Sequence, residues 1–193
     1  MDQCINKIGH ALHDLNPVFH NVSYEARVGT IARELGVRVP AVAQSMYIFK
    51  SPNIGGEVTP HQDGTFLYTE PQSVLGFWWA LDQCTLENGC LWAVPGSHKN
   101  GVKRRFKRLD PPAYGTEFVP KENEFLDIEG GVPLECDPGS LVLIHNALVH
   151  WSAPNTSPHQ RHAYTIHVID SDEGVSYPSD NWLQRSDGFH ECI

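Results

Sequence analysis

His61 and Asp63, separated only by Gln62, are the first residues of this chain whose types and spacing can do chemistry. In an extended segment residues i and i+2 point to the same face, so an imidazole and a carboxylate converge on one point. These are two of the three ligands of a 2-His-1-carboxylate iron site, which leaves the other coordination positions open for reaction. Alone, a His-x-Asp is more often a surface turn than a metal site. The pair needs a distal histidine and an anchor for a co-substrate. His145 and His150 follow or end apolar runs, and His167 sits within the return strand. His150 fits best, because Ser152 follows it on the same strand face and Arg161 lies beyond a turn, where an antiparallel neighbour sets it beside Ser152. A guanidinium fork grips a carboxylate through two parallel hydrogen bonds, and a hydroxyl adds a third. A dicarboxylate such as 2-oxoglutarate needs that arrangement, with one end on the iron and the far carboxylate on the arginine. His145, His167 and the pair His159/His162 are then expected to be structural or surface residues, a stray second metal site being the alternative.

The elements that must position these residues are mostly strands. Asn6 to Leu15 reads as a short helix broken by Asn16-Pro17, and Tyr24 to Leu35 as a helix capped by Ser23 and stopped by Gly36. Strand patterns follow at Val39–Phe49, around His61, at Val74–Leu81, Cys90–Val94, Val132–Cys136, Leu141–Ile144, up to Ser152, and at Arg161–Ile169. Leu109 to Gly131, rich in Pro, Gly and Glu, reads as a long surface excursion of the kind that forms lids. Short strands after a helical start predict a sandwich or jelly roll, with any metal site inside its mouth.

The chain of 193 residues is expected to form a single domain. Its net charge of -9 argues against nucleic acid as the main partner. No apolar run approaches a membrane span, and the first ten residues lack the character of a secretion signal. Five cysteines without CxxC spacing read as reduced thiols, which points to an intracellular, cytoplasmic protein. The basic run Lys103 to Arg108 has three readings: a solvated loop, a nucleic-acid patch, or a clamp for the phosphates of a coenzyme A ester.

Taken together, His61-Gln62-Asp63, Glu87-Asn88-Gly89-Cys90-Leu91-Trp92 with Pro95-Gly96-Ser97-His98, and His150-x-Ser152 followed by Arg161 resemble the phytanoyl-CoA dioxygenase family. Ile5 to His13 and Gln44 to Lys50 extend the likeness over nearly the whole chain, most weakly between Leu109 and Gly131. The resemblance implies a mainly β, cupin-like double-stranded β-helix with N-terminal helices. It implies a dioxygenase using Fe(II), 2-oxoglutarate and O₂ to hydroxylate a small-molecule prime substrate, releasing succinate and CO₂. A non-catalytic module binding metal and 2-oxoglutarate on the same fold is the alternative. His61, Asp63 and His150 are implied as iron ligands, Ser152 and Arg161 as the distal-carboxylate anchor, and Lys7, Met46 and Trp79 as lining of the co-substrate pocket. Read singly, Lys7 is a solvated helix lysine, Met46 and Trp79 are core packing, and Ser152 satisfies a local backbone group. Family members also carry a segment ahead of the part matching Ile5, so Met1 to Ile193 is expected to correspond to a shortened domain that keeps its iron and co-substrate positions.

Overall fold

The structure, a computed structural model, describes residues 5–121 and 126–192. Cys4 and residues 122–125 of the expected surface excursion lie outside them.

The chain opens with β1 (Lys7–His10), α1 (Leu12–Leu15), α2 (Pro17–Ser23) and α3 (Ala26–Glu34). The expected first helix is therefore half strand. Lys7 to His10 pairs with β2 (Pro40–Ile48) in register Lys7↔Ile48 and Gly9↔Met46. Ladder hydrogen bonds at an open sheet edge outweigh the weak helical spacing of Ile8 and Leu12. Asn16-Pro17 does not only end a helix; it begins one. The Asn16 side chain accepts from the Val18 and Phe19 amides, and Pro17 occupies the first turn, where its missing N–H costs nothing. α3 buries Val28 and Ala32 as the spacing predicts, but it is preceded by Glu25 rather than capped by Ser23, which ends α2, and Leu35 at its end is exposed.

The remaining strands are β3 (Val58–His61), β4 (Leu75–Ala80), β5 (Leu91–Ala93), β6 (Arg105–Arg108), β7 (Thr116–Val119), β8 (Val132–Leu134), β9 (Leu141–His145), β10 (His150–Ser152), β11 (Ala163–Asp170) and β12 (His190–Glu191). They form a large antiparallel sheet in the order β1-β2-β11-β4-β9, with β12 on β2, and a smaller one in the order β3-β10-β5-β8. This is the double-sheet jelly roll expected of the chain. The outer face of the large sheet packs Phe77, Tyr164, Ile166 and Val168 under α3. Its inner face packs Trp78, Ala80, Ile144 and Ala163 against Cys90 and Leu91 of the small sheet. Within the expected surface excursion, β7 pairs with β6 as a hairpin, which carries much of the basic run.

That run is spent largely on the protein itself. Arg105 and Lys107 pair with Asp180, Arg105 also lies over the Tyr68 ring, and Arg108 donates to the Trp182 carbonyl. Arg104 lies over Phe118. These contacts tie the hairpin to the C-terminal segment. Among the described residues no helix is long and apolar enough to cross a membrane, and Cys84, Cys90, Cys136 and Cys192 are free thiols.

Candidate metal centre and co-substrate pocket

β10 lies between β3 and β5, and its register sets His150 directly opposite His61. Cross-strand neighbours on one face are within side-chain reach, so the two imidazoles meet, with ring centres 4.2 Å apart. Asp63 follows β3 at the start of a 3₁₀ turn, two residues after His61. The intervening Gln62 turns the other way and is locked: its amide nitrogen donates to the Ala147 and Gly101 carbonyls, and its oxygen accepts from the Lys103 amide. That lock holds the His-x-Asp parity fixed.

The ligating atoms of His61, Asp63 and His150 lie within 4.8 Å of one another. Asp63 Oδ1 is 3.8 Å from His61 Nε2 and 3.6 Å from His150 Nε2. Each histidine has its Nδ1 against a backbone carbonyl two residues earlier, Thr59 O at 2.8 Å and Leu148 O at 3.0 Å. A carbonyl only accepts, so Nδ1 carries the proton and the Nε2 lone pair faces the cluster. This is the usual way a histidine ligand is held. Asp63 Oδ2 is buried with no partner. An anionic oxygen in that condition is costly unless a cation reaches it. Burial and then the neighbouring His150 push His61 down to about 4, so its ring is neutral at physiological pH. Burial opposes ionisation of Asp63, but His167 and His150 outweigh it and hold the carboxyl well below the usual carboxylate range. Two imidazoles that present Nε2 and a carboxylate, aimed at one point with an orphaned oxygen, fit a divalent iron.

A cavity of about 120 Å³ runs from this cluster to Ser152 and Arg161 and is also lined by Lys7, Met46, Trp78, Thr165 and His167. Arg161 is 1% exposed, and its Nη1 is buried without a partner. Its Nε donates to the Gly89 carbonyl, and Nη2 lies 3.5 Å from Ser152 Oγ. The cluster also opens on a wider recess of about 360 Å³, walled by Phe66, Leu67, Phe106 and Trp182 and carrying Lys7, His10 and Gln44.

The structure thus brings together His61, Asp63, His150, Ser152, Arg161, Met46 and Lys7, the last from a strand rather than a helix. It does not bring Trp79. Side chains alternate along β4, and Trp79 stands on the outer face, stacked on Phe77 and Tyr164. Its neighbour Trp78 lines the cavity instead, which corrects the expectation for Trp79. His145 is away from the cluster, its ring 5.0 Å from that of His98. His167, expected to be merely structural, lies with Nε2 3.4 Å from Asp63 Oδ1. Parity would have exposed both: Thr165 and His167 share a face of β11, as Gly76 and Trp78 do of β4. Among the described residues no group of three or more metal-ligating side chains includes His159 or His162.

The sequence profile of phytanoyl-CoA dioxygenase (PhyH) matches residues 1–163. The chain belongs to that family. It is 53% identical over 181 residues to phytanoyl-CoA dioxygenase 1 of Oryza sativa subsp. japonica, covering 94% of this chain and 63% of that protein. It is 50% identical over 185 residues to phytanoyl-CoA dioxygenase domain-containing protein 1 of Rattus norvegicus, covering 95% and 63%. This chain therefore spans less than two thirds of the length of these family members. Among solved structures, the non-heme α-ketoglutarate-dependent carbocyclase SnoK from nogalamycin biosynthesis superposes with a TM-score of 0.76 at 20% identity, covering 97% of this chain and 76% of SnoK. EctD from S. alaskensis with 2-oxoglutarate and 5-hydroxyectoine gives 0.66 at 23%, covering 86% and 56%. These likenesses fix the fold as that of 2-oxoglutarate-dependent oxygenases.

Gly76 supplies a test of the cluster's tightness. A Cβ there would stand 3.1 Å from Asp63 Oδ2 and 3.1 Å from Ile144 Cβ. Gly76→Ala is expected to push the carboxylate and weaken divalent-metal binding by about tenfold, the scale of losses around metal ligands. Metal titration followed by calorimetry checks it; unchanged affinity in a folded protein would mean that Asp63 is not held from this side.

Proposed function

We propose that this chain carries the catalytic site of an Fe(II)- and 2-oxoglutarate-dependent dioxygenase that hydroxylates a small-molecule prime substrate. The observation that carries the reading is the single cavity with the His61–Asp63–His150 cluster at one end and an unpartnered, buried Arg161 nitrogen at the other.

His61, Asp63 and His150 would hold Fe(II) from one side. The carbonyls of Thr59 and Leu148 keep both imidazoles in the tautomer that presents Nε2. Arg161 and Ser152 would bind the distal carboxylate of 2-oxoglutarate, and Met46 and Trp78 would hold its carbon chain between apolar walls. His167 sits beside Asp63 and orients that carboxylate. The wider recess would take the prime substrate, its aromatic walls excluding water and Lys7, His10 and Gln44 offering polar contacts. When bound, Fe(II) with O₂ and 2-oxoglutarate supplies the oxidising power, succinate and CO₂ being released as one oxygen atom enters the substrate. The free thiols fit a reducing compartment, and we place the protein in the cytoplasm.

The test is anaerobic addition of Fe(II) and 2-oxoglutarate, followed by visible absorbance, then O₂ with succinate assayed. A weak charge-transfer band and succinate are expected. A band without succinate would favour a binding module; no band in folded protein would sink the reading.

A further inference from the structure

Lys50 is, with Arg161, among the largest fully buried side chains, at 1% exposure. Burying two cations is costly unless each finds hydrogen bonds and a counter-charge. Lys50 Nζ donates to Ser152 Oγ at 2.8 Å and to the Ala153 carbonyl. Arg161 donates to the Gly89 carbonyl and approaches the same Ser152 oxygen. Among the described residues neither cation forms a salt bridge with a carboxylate, and Arg161 Nη1 has no hydrogen-bond partner, the guanidinium lying 5.3 Å from the Trp78 ring centre. The fold nevertheless builds the pair in. The Lys50 carbonyl accepts from the Arg161 amide and from Asn155 Nδ2, each at 3.0 Å. Residue 89 must be glycine: its φ is +79°, and a Cβ would stand 2.4 Å from the Ala153 oxygen and 2.8 Å from Lys50 Cδ.

We propose that Lys50 is a positioning residue of the anchor, turning the Ser152 hydroxyl proton into the cavity and adding a second positive charge behind it. The inference rests on reading the cavity as the 2-oxoglutarate site. Ser152 Oγ accepts from Lys50 and faces Arg161, so its own proton is free to donate to a carboxylate in the cavity. Lys50 itself does not line that cavity; it acts through Ser152 and through its field. The two cations make the site selective for a second carboxylate rather than for any 2-oxo acid.

Burial and then Arg161 push the Lys50 ammonium down to about 7, while Cys90 and Glu57 pull weakly the other way. A carboxylate arriving beside it favours the charged form, so binding takes up a proton. The sign follows: affinity for the dicarboxylate is greatest below pH 7 and falls as pH rises above it.

The experiment titrates Fe(II)-loaded protein anaerobically with 2-oxoglutarate and with 2-oxobutanoate, which keeps the chelating end but lacks the distal carboxylate. In Lys50→Met the Kd for 2-oxoglutarate at pH 6.5 is expected to rise about tenfold, the usual scale of a charge-assisted hydrogen bond, with that for 2-oxobutanoate changing less than about twofold. Wild-type affinity for 2-oxoglutarate should fall about fivefold between pH 7 and 8.5, and the variant should be flat. Lys50→Gln should repeat both results. Equal losses for the two acids, or an unchanged 2-oxoglutarate Kd and pH slope, would overturn the role of Lys50 alone. A wild-type protein that bound neither acid would overturn the co-substrate reading, and this inference with it.

Discussion

His150→Ala is expected to lose iron-dependent succinate formation on the order of a thousandfold, about 4 kcal/mol of barrier. His61→Ala and Asp63→Ala should do the same, because each removes one of three donors converging within 4.8 Å. The informative comparison is His167→Ala. His167 Nε2 approaches Asp63 Oδ1 at 3.4 Å, closer than His150 does at 3.6 Å, so distance to the carboxylate alone does not choose between them. The other ring nitrogen does. His150 Nδ1 is tied to the Leu148 carbonyl, whereas His167 Nδ1 is buried without a partner. A ligand keeps its proton on Nδ1 so that the Nε2 lone pair is free, whereas a residue that donates to Asp63 through Nε2 carries a proton there. His167→Ala should therefore keep the metal, with affinity reduced by about ten- to a hundredfold. Anaerobic Fe(II) titration separates the two. Metal binding retained in His150→Ala and abolished in His167→Ala would exchange their roles.

The parts of this site that were legible in sequence are those set by short-range parity. His61 and Asp63 share a face because residues two apart do, and His150 and Ser152 share one for the same reason. Arg161 beyond the turn reaches Ser152 because the chain returns there. Tertiary pairing hid the rest. Nothing local tells that Lys7 to His10 joins the sheet edge, since ladder partners 35 to 41 residues away decide it. Adjacent tryptophans at 78 and 79 are indistinguishable by composition; the register of β4 against β11 turns one inward and one outward. Lys50 was invisible as a functional residue because lysine is ordinarily solvated, and only the surrounding carbonyls and glycine reveal a built socket. Fold class was easier: the run of short patterned strands requires two sheets whatever their exact pairing.

Arg161→Ala is expected to raise the 2-oxoglutarate concentration needed for half-maximal turnover by about a hundredfold, or roughly 2.7 kcal/mol. The magnitude follows from what is lost. A buried guanidinium bound to a carboxylate contributes charge-assisted hydrogen bonds of about 1.5–3 kcal/mol, and its removal also orphans the Gly89 carbonyl it now satisfies. The loss should stop short of complete, because Lys50 and Ser152 remain at that end of the cavity. Turnover at saturating co-substrate should fall much less, since no metal donor is touched. Arg161→Lys should fall between wild type and alanine: it restores charge without the planar fork, and its shorter reach leaves the carboxylate a single contact. Steady-state kinetics against 2-oxoglutarate, with the anaerobic iron band as a control for the intact metal site, separates these effects. An unchanged 2-oxoglutarate requirement in Arg161→Ala would mean that the distal carboxylate is bound elsewhere, and the polarity assigned to the whole cavity would have to be reversed.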